Sequence, residues 1–130
     1  MERIIKFRAW DKGQKKMTNV VNVYSENDGT SWWSADHIDP ENDATICSFD
    51  KDSGVLMQYT GLKDENGKEI YESDILKTTA IFASDKIGNE YFNVVVKWSK
   101  CRWVANGSLN SYQCRISEII GNIYENKNLI

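Results

Sequence analysis

Asn66-Gly67, flanked by Lys63 and Lys68, is the strongest two-residue turn signal in this 130-residue chain. Both central positions of a tight hairpin turn require positive φ, and Asn and Gly accept it most readily. A turn of that kind joins antiparallel strands, so the sequence around it must run extended. Other segments follow the same pattern. Ile5, Phe7 and Ala9 alternate with Lys6, Arg8 and Trp10, the period of a half-buried strand and not of a helix. Asp11-Lys12-Gly13 supplies a turn, and Val21 and Val23 lie in a second β-rich run ending at Tyr24, which completes a hairpin. Thr45 to Phe49 and Val55 to Tyr59 are β-rich runs separated by Asp50-Lys51-Asp52-Ser53-Gly54, again a hairpin pattern. Phe92, Val94, Val96 and Trp98 alternate with Tyr91, Asn93, Val95 and Lys97, which predicts one strongly apolar face. Arg102 to Ala105 and Tyr112 to Tyr124 are read as the remaining strands, with Asn106-Gly107-Ser108 as a turn. The tail closes with a single helical turn, and no long helix is predicted.

Residues 25–43 are polar, contain the single proline, Pro40, and read as a long loop. Trp32-Trp33 sits inside it. Adjacent residues on an extended chain point to opposite sides, so one of the two is expected to be buried and the other partly exposed. An exposed tryptophan is a natural binding anchor.

Leu56 to Lys77, with Gly61-Leu62-Lys63-Asp64-Glu65-Asn66-Gly67 and Tyr71-Glu72-Ser73-Asp74-Ile75-Leu76 inside it, resembles the central motif of the YopX family. Ile5-Lys6-Phe7-Arg8-Ala9-Trp10-Asp11 with Lys16-Met17 is similar to that family's opening segment. Glu118-Ile119-Ile120-Gly121-Asn122-Ile123-Tyr124-Glu125-Asn126 is similar to its closing one. Ser73 stands where the family usually has Gly, and Lys127 where Pro often follows Glu-Asn. The resemblance implies a small protein of phages and prophages of Gram-positive bacteria, acting in the host cytoplasm, and it carries over no catalytic residue. The Ser73-Asp74-Ile75-Leu76 step also resembles the start of the first long strand of SH3-like barrels, where the Asp ties the turn down through backbone N–H groups. The expected fold is therefore all-β: an N-terminal β-hairpin layer, residues 1–55, packed on a C-terminal SH3-like small β-barrel, residues 56–130.

A chain of this length buries about two thirds of its unfolded surface and needs no staple. The first residues lack an apolar run of signal-peptide length, and no window approaches a membrane span, so a soluble intracellular protein is expected. Cys47, Cys101 and Cys114 are odd in number and widely spaced, and they read as reduced thiols. A zinc site from these with His37 is formally available, but the spacing does not ask for one. His37 itself reads as a solvated loop residue. Net charge is −3, too small to mark a nucleic-acid binder. Residues 1–17 carry six bases against two acids, and residues 26–52 eight acids against Lys51. Solvation and pairing between the two explain most of this.

Acidic loops at Asp50 and Asp64 fail the calcium-loop count, and no glycine-rich phosphate loop is present. No catalytic set, metal site or cofactor is expected. The best binding constellation is Lys97-Trp98-Ser99-Lys100-Cys101-Arg102-Trp103, where Lys97, Lys100, Arg102 and Trp103 interleave bases with an aromatic as in single-stranded nucleic-acid platforms. Trp98 itself continues the apolar register and is expected in the core. The resulting expectation is a non-enzymatic module that binds a host or phage protein, with homo-oligomers as a further option. Single-stranded nucleic acid, bound through the basic N-terminal hairpin and the Lys97 to Trp103 stretch, is the alternative.

Overall fold

The computed structural model describes residues 4–25, 33–38, 46–50, 52–79, 91–105 and 109–130. The elements are β1 (Phe7–Asp11), β2 (Lys16–Ser25), β3 (Trp33–Ile38), β4 (Ile46–Asp50), β5 (Gly54–Lys63), β6 (Glu69–Tyr71), β7 (Asp74–Thr79), β8 (Tyr91–Val95), β9 (Lys97–Ser99), β10 (Arg102–Val104), α1 (Ser111–Arg115) and β11 (Glu118–Asn122), followed by a 3-10 turn at Lys127–Leu129. The described residues are thus all-β but for one short helix and that closing turn. It divides into two compact units, Ile5–Gln58 and Tyr59–Ile130, the latter joined by Met1–Ile4.

In the first unit the strand order is β4-β3-β2-β1-β5, all neighbours antiparallel. The β1–β2 hairpin forms as expected. Asp11 Oδ1 accepts the N–H groups of Gly13 at 2.9 Å and Gln14 at 3.1 Å, which fixes the turn. Ala9 is fully buried and packs with Val20 and Leu56, whereas Ile5, expected on the same face, precedes the strand and is 63% exposed. Two further expectations are corrected. The predicted loop contains β3, which pairs with both β2 and β4. The predicted β4–β5 hairpin does not pair: β5 lies against β1, with Ala9 opposite Leu56, so that β1 becomes an interior strand. Pairing on both sides gives its backbone groups ladder partners in two strands, a gain that local sequence does not announce.

In the second unit, Tyr59 and Lys63 of β5 pair with Tyr71 and Glu69 of β6 across the Asn66-Gly67 turn. Only Gly67, at φ 79°, is left-handed there. Its N–H donates to the Asp64 carbonyl at 3.0 Å, and Asp64 Oδ1 takes the N–H groups of Asn66 and Lys68 at 2.9 Å each. The strong turn signal therefore gives a longer, side-chain-fixed turn in place of the two-residue one. β7 lies between β11 and β8, and Ile75 and Leu76 are fully buried, as is expected of an interior strand. Asp74 Oδ2 accepts the Tyr71 N–H at 2.8 Å, the turn-fixing role read from the sequence. The core holds Ile70, Leu76, Val94, Val96, Ala105, Leu109 and Cys114. Within Tyr112–Tyr124, read as strand, the start is instead α1. Asn110 caps it by accepting the Gln113 N–H at 2.9 Å, a helix-start signal that the strand reading passed over.

Candidate functional site

Phe92, Val94 and Val96 follow the predicted apolar register, but the strand breaks at Val96. Its N–H donates to the Asp74 carbonyl and its own carbonyl accepts from Ser73, both at 2.9 Å. These bonds hold Val96 in the core and release the next residues into a separate two-stranded ribbon, β9–β10. Trp98 is consequently 52% exposed, a correction to its expected place in the core.

The ribbon turns through Lys100 and Cys101, whose φ values of 50° and 63° are both left-handed, as a two-residue hairpin turn requires. Cross-strand pairs are Arg102 with Ser99, Trp103 with Trp98 and Val104 with Lys97. The two indoles meet edge to face, with centroids 4.8 Å apart and planes at 70°. Trp103 is half-buried against the core, and its carbonyl accepts the Leu109 N–H at 3.0 Å. Trp98 thus leans on a partner that is itself anchored, a pairing that stabilises a ribbon by about 1 kcal/mol.

Of the residues singled out in the sequence, Lys97, Lys100, Arg102 and Trp103 are brought together here. Lys97, Lys100 and Arg102 are exposed. They do not share Trp103's face: side chains alternate across a strand, so the pairing puts Trp98 and Trp103 on one face and Lys97, Ser99 and Arg102 on the other. From Tyr91 to Ser117 the sequence carries Lys97, Lys100, Arg102 and Arg115 and no acid. Trp32 lies outside the described residues, and Trp33 is described only as the first residue of β3.

Cys101 is an exposed free thiol at the ribbon tip. Cys114 is buried in the core, its thiol pushed up to about 11 first by burial and then by the charge of Asp64. His37 and Cys47 lie opposite each other in the β3–β4 pairing, with their side chains outside the description. Among the described residues no group of three or more His, Cys, Asp or Glu is placed to hold a metal ion. No helix among them is long and apolar enough to cross a membrane.

Comparison with known proteins places this architecture. The crystal structure of protein EF1440 from Enterococcus faecalis superposes with a TM-score of 0.65 at 26% identity, covering 98% of this chain and 99% of that one. Protein YopX from Bacillus subtilis superposes with a TM-score of 0.60 at 21% identity, covering 96% and 97%, which shows a shared fold. A 62-residue stretch, 45% of this chain, is 31% identical to leucine–tRNA ligase of Corynebacterium glutamicum (strain R) but spans only 6% of that enzyme. The family profile described as YopX protein matches residues 6–130. With the central motif, the closing segment and all of the opening one but Ile5 inside that match, the chain belongs to the YopX family.

Proposed function

We propose that this chain is a non-enzymatic binding module, an accessory protein of a phage or prophage, that contacts a host or phage macromolecule through the β9–β10 ribbon. The observation that carries the reading is Trp98: a large apolar side chain 52% exposed and held against a core-anchored indole, with exposed bases on the opposite face and the tip of the same ribbon. Tryptophan is enriched among the residues that dominate binding surfaces. The family's signature carboxylates support a non-catalytic role, because Asp64 and Asp74 accept backbone N–H groups and hold turns.

The test uses Cys101 as a handle. In a Cys47→Ser background, a thiol-reactive photo-crosslinker attaches to exposed Cys101, while buried Cys114, with its raised pKa, stays protonated and unlabelled. Irradiation in infected-host lysate should capture a defined partner, and Trp98→Ala should abolish the capture. Equal capture by Trp98→Ala, or equal capture from a label at Lys127→Cys with Cys101→Ser, would reject the ribbon as the contact surface.

A further inference from the structure

We propose that the ligand of this ribbon is a single strand of nucleic acid, lying along the outer edge of β9 with a base stacked on Trp98 and phosphates on Lys97, Lys100 and Arg102. This rests on the ribbon being the contact surface and adds the chemistry of what it contacts.

The register carries the argument. A protein hot spot gathers aromatic and cationic groups into one desolvated centre. This ribbon separates them: Trp98 and Trp103 on one face, Lys97 and Arg102 on the other, with Lys100 at the tip. On β9 itself Lys97 and Trp98 stand on opposite faces of a strand that pairs only with β10 among the described residues, with Arg102 one strand across, opposite Ser99. A single strand of nucleic acid has the same division, with planar bases to one side of its sugars and phosphates to the other. A duplex hides its base faces in the stack and offers this edge only phosphates.

Charge and pre-organisation point the same way. From Tyr91 to Ser117 no acid stands in the sequence to oppose a phosphate, although the whole chain is net negative at −3. Trp98 is already braced edge to face on Trp103, so stacking a base on it orders little that is not ordered beforehand.

The experiment is fluorescence anisotropy of a fluorescein-labelled oligothymidylate of about twelve nucleotides titrated with the full chain. Three neutralised phosphates on a single strand predict a slope of log K against log salt of about −2. Trp98→Ala should weaken binding by about five- to a hundredfold, and Trp98→Phe should keep most of the affinity. Lys97→Gln and Lys100→Gln, exposed changes that leave the fold alone, should each reduce the slope by about 0.7. A mixed-sequence duplex should compete at least about tenfold less well. Unchanged affinity in Trp98→Ala with unchanged slope in the lysine variants would overturn the proposal. So would displacement by polyglutamate at equal charge, which would point to an acidic protein. No oligothymidylate binding alongside a Cys101-captured protein would overturn it too, while leaving the ribbon as the contact surface.

Discussion

Asp64 and Ile119 stand 55 positions apart in the sequence and are joined by a 3.0 Å hydrogen bond, in which the Ile119 N–H donates to Asp64 Oδ2. The other carboxylate oxygen holds Asn66 and Lys68, and the Glu65 N–H donates to the Ser117 carbonyl at 2.9 Å. One buried side chain, 6% exposed, therefore closes the β5–β6 turn and fastens it to the start of β11.

Replacing Asp64 with Asn turns one of those acceptors into a donor that faces a backbone N–H. At least one buried donor loses its partner, and the charge that strengthened the others is gone. A loss of about 2–3 kcal/mol is expected. Urea unfolding of Asp64→Asn checks it, and an unchanged midpoint would show that the turn does not depend on the carboxylate.

Ser73 sits at φ 72°, buried, with its N–H donating to Val96 and its carbonyl accepting from Ile123 at 3.1 Å. Both bonds fix the backbone in a left-handed conformation that a Cβ disfavours and that glycine adopts without strain. Ser73→Gly should raise stability by about 0.5–1 kcal/mol, the relief of left-handed strain less the added freedom of the unfolded glycine. A fall in the thermal midpoint would contradict this.

A Cβ at Gly121 would run into the Asn126 side chain, meeting its Cγ at 2.6 Å and its Oδ1 closer still. Asn126 cannot simply yield, because its Oδ1 accepts the Asn122 N–H at 3.2 Å and its own N–H donates to the Asn122 carbonyl at 2.9 Å. Asn122 in turn holds the N–H groups of Tyr124 and Glu125. Gly121→Ala should cost about 2 kcal/mol or more. Hydrogen exchange should show the loss first at the amides of Asn122, Tyr124 and Glu125, and a uniform loss across the chain would argue against a local clash.

Burial, reinforced by the charge of Asp64, pushes the Cys114 thiol from 9.0 up to about 11. An acid whose folded pKa lies above its unfolded value favours the fold while it stays neutral. Its contribution is complete below pH 9.0 and is lost as the unfolded chain alone ionises between 9.0 and about 11. The stability of the parent chain relative to Cys114→Ala should shrink over that window. Parallel pH curves for the two would disprove the shift.

The strands were legible where alternation and turn residues agree, as in β1, β2, β5, β7 and β8. Pairing was not, because β5 meets β1 across more than forty residues and no local signal encodes a partner so distant. Asn66-Gly67 announced its turn, yet the tight turn with two left-handed residues is Lys100-Cys101, where neither residue type favours that conformation. Trp98 was misread for a related reason. Its register with Val96 is apolar in sequence, and what ends that register is the bonding of Val96 to residues 73 and 74, visible only in three dimensions. The bases of the ribbon were legible as a group, but their separation from the indoles depended on knowing that Trp98 faces Trp103.

β5 runs unbroken from Gly54 to Lys63, and the boundary between the two units falls inside it, between Gln58 and Tyr59. No spacer exists there for recombination to cut. Gly54 to Gln58 carry the pairing to β1, and Tyr59 and Lys63 the pairing to β6, so a single strand serves both units and a gene cut at that boundary would leave each with only half of it.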